Sequence, residues 1–257
     1  MKPSARVLVF DIETSLAIYA AYPSNKPQFL SAENMLQDWF MICVGWQWEG
    51  SSKVNSVSVL DDPKRFKRCP TDDYHVVKIL HQVISEADAI VGHNMQRFDW
   101  KKFLSRVIYH KLPPLPQPKI IDTLKEVKRA AFSHNKLSFI NKKLSISEKL
   151  HHDYDMWLKI LNGDAKAVKD CVKYCRGDVP ATMELYLRLK PYMPSGSLPN
   201  QNLWRADGIE CCRACNGENL QRCGFKTTTT GKYQRYKCTD CGAWMCGKKS
   251  LKSVNIR

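Results

Sequence analysis

Near its start the chain carries a short apolar run, Val7-Leu8-Val9-Phe10, that ends in two carboxylates one residue apart, Asp11 and Glu13. The run is β-prone and bounded by polar residues, which predicts a buried strand over residues 5–13. Side chains two apart in a strand share a face, so both acids leave the strand end side by side. Two like charges held together are costly unless something positive binds between them. A divalent metal is the simplest partner, because hard cations prefer oxygen ligands.

The rest of the chain reads as α/β. Trp39–Trp48 and Val54–Leu60 are further strand-like runs. Apolar residues at helical spacing predict a helix over Asp72–Ser85, followed by a short buried strand at Ala87–Val91 and a helix at Phe98–Leu112. Pro113, Pro114, Pro116 and Pro118 end that helix, and Ile120-Ile121 opens a strand closing at Asp122. Residues 119–149 are basic, a solvated face or part of a substrate track. Asp164–Lys190 predicts a long helix interrupted near Gly177 and Pro180, with a kink that would aim Asp178 inward. Residues 191–206 have linker composition. The expected organisation is a domain at 1–190, a linker at 191–206, and a small module with a basic tail at 207–257.

With 257 residues the chain is long enough for one substantial domain and a small one. No apolar run could cross a bilayer, and there is no signal-peptide pattern. The cytoplasm, where thiols stay reduced, is the expected location (the host's, if the protein is viral). The formal net charge of +15 favours a polyanionic partner such as nucleic acid. Nearly half of that excess lies in residues 201–257, where 11 Lys+Arg face 4 Asp+Glu.

Two later segments supply companions for Asp11 and Glu13. In Gly92-His93-Asn94-Met95-Gln96-Arg97-Phe98-Asp99 a strand ends at a turn, Asn94 is a candidate helix cap, and Asp99 falls in the first helical turn. In Tyr174-Cys175-Arg176-Gly177-Asp178 the tyrosine and the aspartate are four apart and share a helix face. Taken singly, each acid also has an ordinary structural role open to it: Asp99 at a helix start, Asp178 as a cap.

Together, Asp-x-Glu, Asn-x-x-x-Phe-Asp and Tyr-x-x-x-Asp resemble the three exonuclease motifs of the DEDD superfamily. The tyrosine is similar to that of the DEDDy branch, which includes polymerase proofreading domains. The likeness spans about residues 5–190. It implies an RNase H-like mixed sheet flanked by helices. It also implies that Asp11, Glu13 and Asp178 ligate one Mg²⁺ or Mn²⁺, that Asp11 bridges to a second, and that Asp99 holds that ion mainly through water. Tyr174 would position the attacking water. Asp122 is expected to be structural, and His93 and Asn94 to be turn and hydrogen-bonding residues.

Seven of the eleven cysteines lie between Cys211 and Cys246. Cys212-x-x-Cys215 and Cys238-x-x-Cys241 fit a tetrahedral structural zinc, with Cys211 an alternative to Cys212. The intervening residues read as strand, turn at Gly231, strand. The segment resembles the zinc ribbons of transposases and related phage or bacterial DNA enzymes. Lys232, Tyr233, Arg235, Tyr236 and Lys237 are candidate nucleic-acid contacts. Docking on the catalytic domain or on a protein partner is the other role open to the ribbon.

The expected function is therefore a metal-dependent 3′–5′ exonuclease acting on nucleic-acid ends, foremost single-stranded DNA, with two Mg²⁺ or Mn²⁺ and one structural Zn²⁺. A replication or repair protein is a candidate partner, and no membrane is expected. A 3′–5′ RNA exonuclease and a non-catalytic zinc-ribbon binding protein are the competing readings.

Overall fold

The computed structural model describes residues 4–23, 30–146, 154–194 and 196–255. Ser195 and residues 147–149, parts of the expected linker and basic stretch, lie outside them. The chain begins with strand β1 (Val7–Thr14), a short antiparallel pair β2 (Ile18–Tyr19) and β3 (Met35–Gln37), and strands β4 (Met41–Trp48) and β5 (Asn55–Ser58). Helices α1 (Pro63–Arg68) and α2 (Tyr74–Ser85) lead to β6 (Ala89–Gly92), α3 (Asp99–Tyr109) and β7 (Lys119–Asp122). Helices α4 (Thr123–Arg129), α5 (Leu137–Lys143), α6 (Asp155–Leu161) and α7 (Ala165–Leu189) follow. Strands β8 (Leu220–Thr227), β9 (Gly231–Cys238) and β10 (Trp244–Ser253) close the chain.

The main sheet has the order β5-β4-β1-β6-β7. β1 pairs antiparallel with β4 and parallel with β6, so the sheet is mixed, as the resemblance implies. Both faces of β1 are buried, which is why its apolar residues run unbroken rather than alternating with polar ones. Leu8, Phe10 and Ile12 join a core with residues of α2 and α3, while Val7 and Val9 join a second core with residues of α4, α5 and the C-terminal half of α7.

One buried ionic knot fixes α2 and α3 to the sheet. Asp73, fully buried, accepts two bonds from Arg106 (2.6 and 2.7 Å), one from His110 Nε2 (2.6 Å) and one from the Met41 N–H at the head of β4 (2.8 Å). Both carboxylate oxygens are thus doubly bonded, the condition under which a buried charge is tolerated.

Several sequence expectations need correction. The third strand stops at Ser58, because Ser58 and Asp61 form a reciprocal cap that turns Val59–Asp61 into a 3₁₀ turn. The long helix is not interrupted: α7 runs continuously through Gly177 and Pro180. Pro180 removes one N–H, but Pro180 and Arg176, whose carbonyl loses its partner, are both exposed, so the gap faces solvent rather than the core. Asn94 does not cap α3, which begins five residues later. It sits in the preceding turn at φ +70°, a conformation that Asn tolerates. The stretch of linker composition is packed in part, with Met193, Leu198 and Gln201 buried. Among the described residues, no helix is long and apolar enough to cross a membrane.

Candidate active site

Asp11, Glu13, Asp99, Tyr174 and Asp178 all line one cleft of about 380 Å³. They come from the end of β1, the first turn of α3 and one face of α7. Since β1 is central, its carboxyl end meets the elements that follow β6 and the helix that crosses the sheet.

The approach of α7 depends on Gly45. Gly45 lies opposite Asp11 in the β1–β4 register, so any side chain there would project on the same face as the Asp11 carboxylate. A Cβ at Gly45 would stand 3.1 Å from Val179 Cγ2 and 3.4 Å from the Cys175 carbonyl oxygen. Without it, α7 lies directly on β4. Cys175 then reaches β1, its Sγ donating to the Asp11 carbonyl at 3.3 Å. Tyr174 and Asp178 flank this contact and are 7% and 5% exposed.

Asp99 is held from the other side. It is 2% exposed, and its Oδ1 accepts the Ile12 N–H at 3.3 Å. Burial pushes its carboxyl up to about 7, against that hydrogen bond, and the nearby Asp122 charge adds to the rise. Burial also carries the Tyr174 phenol far above its ordinary range, reinforced by the charges of Asp178, Glu13 and Asp11. Four carboxyls line one cleft, the ionisation of Asp99 being disfavoured by burial, and carboxylate oxygens suit a hard divalent cation.

The turn beneath the cleft is held by Asp122. It caps α4 through the Leu124 N–H (3.0 Å) and accepts the Asn94 and Gln96 N–H groups at 2.9 and 3.2 Å. His93 Nε2 donates to the Asn135 carbonyl at 2.8 Å, and its Nδ1 lies 3.0 Å from Thr123 Oγ1. His93 thereby ties the end of β6 to the segment before α5. Asp122 and His93 thus both make hydrogen bonds that hold the turn, and His93 and Asn94 also line the cleft.

That segment holds what the sequence reading passed over. Lys136, Leu137 and Ser138 line the cleft, as does Phe98 beside Asp99. Phe98 stands inside the Asn-x-x-x-Phe-Asp motif, and Lys136 inside the basic stretch. The signals were present, but neither a motif nor a charge count says which side chains turn toward the acids.

At the other end of the chain, the donor atoms of Cys212, Cys215, Cys238 and Cys241 all lie within 4.8 Å of one another. Two Sγ–Sγ pairs, Cys212–Cys241 and Cys215–Cys238, are 3.6 Å apart. A tetrahedron with metal–sulfur bonds of about 2.3 Å has edges of roughly 3.8 Å, so the four thiols could hold such an ion. Cys211 stands outside the group and bonds through its backbone to Asn202. Cys212, Ala214, Cys238 and Ala243 are buried in the same core as Leu189, Met193 and Leu198. Arg213 adds bonds to the Met193 and Pro194 carbonyls. The ribbon is therefore seated on the sheet domain.

The five candidate nucleic-acid contacts all lie on β9, but not on one face. Side chains alternate along a strand, so Tyr233, Arg235 and Lys237 share one face, while Lys232 and Tyr236 share the other with Cys238.

The profile of the RNase H superfamily matches residues 48–190, which include Asp99, Tyr174 and Asp178 but not Asp11 and Glu13. Among solved structures, the fold is similar to that of the family B DNA polymerase from the hyperthermophilic archaeon Pyrobaculum calidifontis. The TM-score is 0.51 and the identity 19%, over 74% of this chain and 25% of that one. The chain thus spans about a quarter of that polymerase's length. No curated protein matches the chain.

Proposed function

The chain belongs to the RNase H superfamily, and on that premise we propose that it is a metal-dependent 3′–5′ exonuclease acting on single-stranded DNA. One observation carries this reading: four acids and a tyrosine, brought from three separate elements, line a single cleft. A cleft of about 380 Å³ is at the small end for ligand pockets, which suits one terminal nucleotide.

In this reading Asp11, Glu13, Asp99 and Asp178 are the residues that would hold two Mg²⁺ or Mn²⁺. When bound, the two ions neutralise the scissile phosphate and lower the pKa of the attacking water. The protein's own groups then orient the reaction. Tyr174 stays protonated, because burial and three carboxylates oppose its ionisation, so it positions the nucleophile by hydrogen bonding rather than by taking its proton. Lys136 brings a cation to the cleft wall, where charge accumulates on the scissile group. Phe98 and Leu137 offer apolar surface to the terminal base.

The four C-terminal thiols hold a structural zinc in this account, and the ribbon helps to hold the nucleic acid. A replication setting is supported by the likeness to a DNA polymerase. The test compares linear and circular single-stranded DNA of one sequence in Mg²⁺. The linear form is shortened and the circle survives. Cutting of the circle would reveal an endonuclease instead.

A further inference from the structure

We infer that the ribbon binds the substrate strand with one face only, an outward platform of Trp244, Arg235, Tyr233, Lys237 and Lys226, and that its partner there is unpaired DNA. This deepens the proposed exonuclease reading and takes the identity of the strand from it.

Strand register defines the platform. Lys237 lies opposite Trp244 on β10 and Gln221 on β8, and Tyr233 lies opposite Lys226 and Ser250. Directly opposed residues in an antiparallel pair project to the same side, so these side chains share a face. The other face gathers Lys232, Tyr236 and Cys238 with Met245 and Phe225. Two cation–ring contacts agree with the division. The Arg235 guanidinium sits 5.1 Å from the Trp244 ring centre, and Lys232 Nζ sits 4.1 Å from that of Phe225. Each pair lies within one face.

The two faces have different surroundings. On the Tyr236 side, Leu220 and Met245 pack against the core shared with the sheet domain. Tyr236 itself lines a cavity of about 340 Å³ with Asn202 and Arg213. Near Cys238 that face is turned inward and seats the ribbon, while at the hairpin tip Phe225, 47% exposed, is open and is covered by Lys232. On the other face Trp244 is 46% exposed, and Arg235, Lys237 and Lys226 are exposed. The strands β8, β9 and β10 contain no Asp or Glu, so no carboxylate on them competes for these cations.

Cations interleaved with open rings fit a single strand. Aromatic rings stack on bases only where the bases are unstacked, and the cations follow the phosphates. Arg235 covers one side of the Trp244 indole and leaves the remainder to a base. In a duplex the bases stack on one another, and only the phosphates would be engaged.

The test measures binding of fluorescent single-stranded DNA by anisotropy, with Ca²⁺ in place of Mg²⁺ and without chelators, so that the ribbon keeps its metal. Trp244→Ala should weaken binding roughly ten- to a hundredfold, with Trp244→Phe restoring most of it. Replacing Lys226, Arg235 and Lys237 together by Gln should lower the slope of log affinity against log salt by about two. Lys232→Gln and Tyr236→Leu should leave affinity within about twofold, and blunt duplex should bind more weakly than single strands. Zinc content identifies the variants that fold. Hydrolysis of the p-nitrophenyl ester of thymidine 5′-monophosphate, which needs only the cleft, should be unchanged in all of them. Absence of that hydrolysis in the wild type would count against the exonuclease reading alone. Unchanged DNA affinity in folded Trp244→Ala and in the triple variant would overturn the platform, as would duplex binding equal to single-strand binding. Tighter binding of RNA than of DNA would overturn the assignment to DNA.

Discussion

The backbone N–H of Ile12, the residue between Asp11 and Glu13, donates to Oδ1 of Asp99 at 3.3 Å. A hydrogen bond thus joins the strand that carries two of the candidate ligands to the helix that carries a third. It also places the Asp99 carboxyl in a site so enclosed that burial pushes its pKa from 3.8 to about 7.

That shift predicts a stability signature. Between about pH 4 and pH 7 the folded protein keeps a proton on Asp99 that the unfolded chain has lost. Stability without added Mg²⁺ or Mn²⁺ should therefore fall as pH rises through this window, by an amount on the order of 4 kcal/mol. Asp99→Asn removes the ionisation. It should be more stable than the wild type at pH 8 in urea unfolding without those ions, and close to it at pH 4. Added Mn²⁺ should stabilise the wild type more than the variant. Equal stability of the two proteins at pH 8 would contradict the assignment.

Gly45 predicts a mechanical effect on the site. A methyl group there would stand 3.1 Å from Val179 Cγ2 and push α7 outward, carrying Tyr174 and Asp178 away from Asp11. Gly45→Ala should cost about 1–3 kcal/mol and lower kcat by on the order of a hundredfold. Adding Val179→Ala should recover part of both. Full activity in Gly45→Ala would show that this contact does not place Asp178.

Tyr174 is expected to act as a neutral phenol. Tyr174→Phe should reduce kcat by on the order of a hundredfold without moving the limbs of the pH–rate profile, because the phenol does not ionise in the working range. A limb that disappears in the variant would instead identify Tyr174 as the titrating base.

Asp73 should matter for stability and not for chemistry. His110, Arg106 and the Met41 N–H hold its carboxyl below the ordinary 3.8, although burial opposes them. The contribution is present at neutral pH and is lost as the pH falls below 3.8 through the folded-state value. Asp73→Ala, which leaves Arg106 buried without its partner, should cost about 3–5 kcal/mol in urea unfolding at pH 7. It should spare kcat at temperatures where the variant is folded.

Much of this architecture was legible from the chain. The unbroken apolar run before Asp11 marks a strand buried on both faces, and the four-residue spacing of Tyr174 and Asp178 marks one helix face. Position in space was harder to read. The effect of Pro180 depends on whether the carbonyl it orphans meets solvent, which spacing along the chain does not encode. The part played by Gly45 needs its register against Asp11, a long-range fact. The composition of residues 191–206 suggests a linker and does not show that Met193 and Leu198 are buried in the core shared with the ribbon cysteines. Likewise, the basic and aromatic residues of β9 formed one group by composition. Strand alternation divides them between two surfaces.

The most direct test of the proposed function is a time course on 5′-labelled single-stranded DNA in Mg²⁺, with wild type, Asp11→Asn and Asp178→Asn side by side. The account predicts a ladder that shortens stepwise from the 3′ end with the wild type and full-length substrate with both variants. Stepwise digestion that persists in either folded variant, or release of the label as a 5′ mononucleotide, would contradict it.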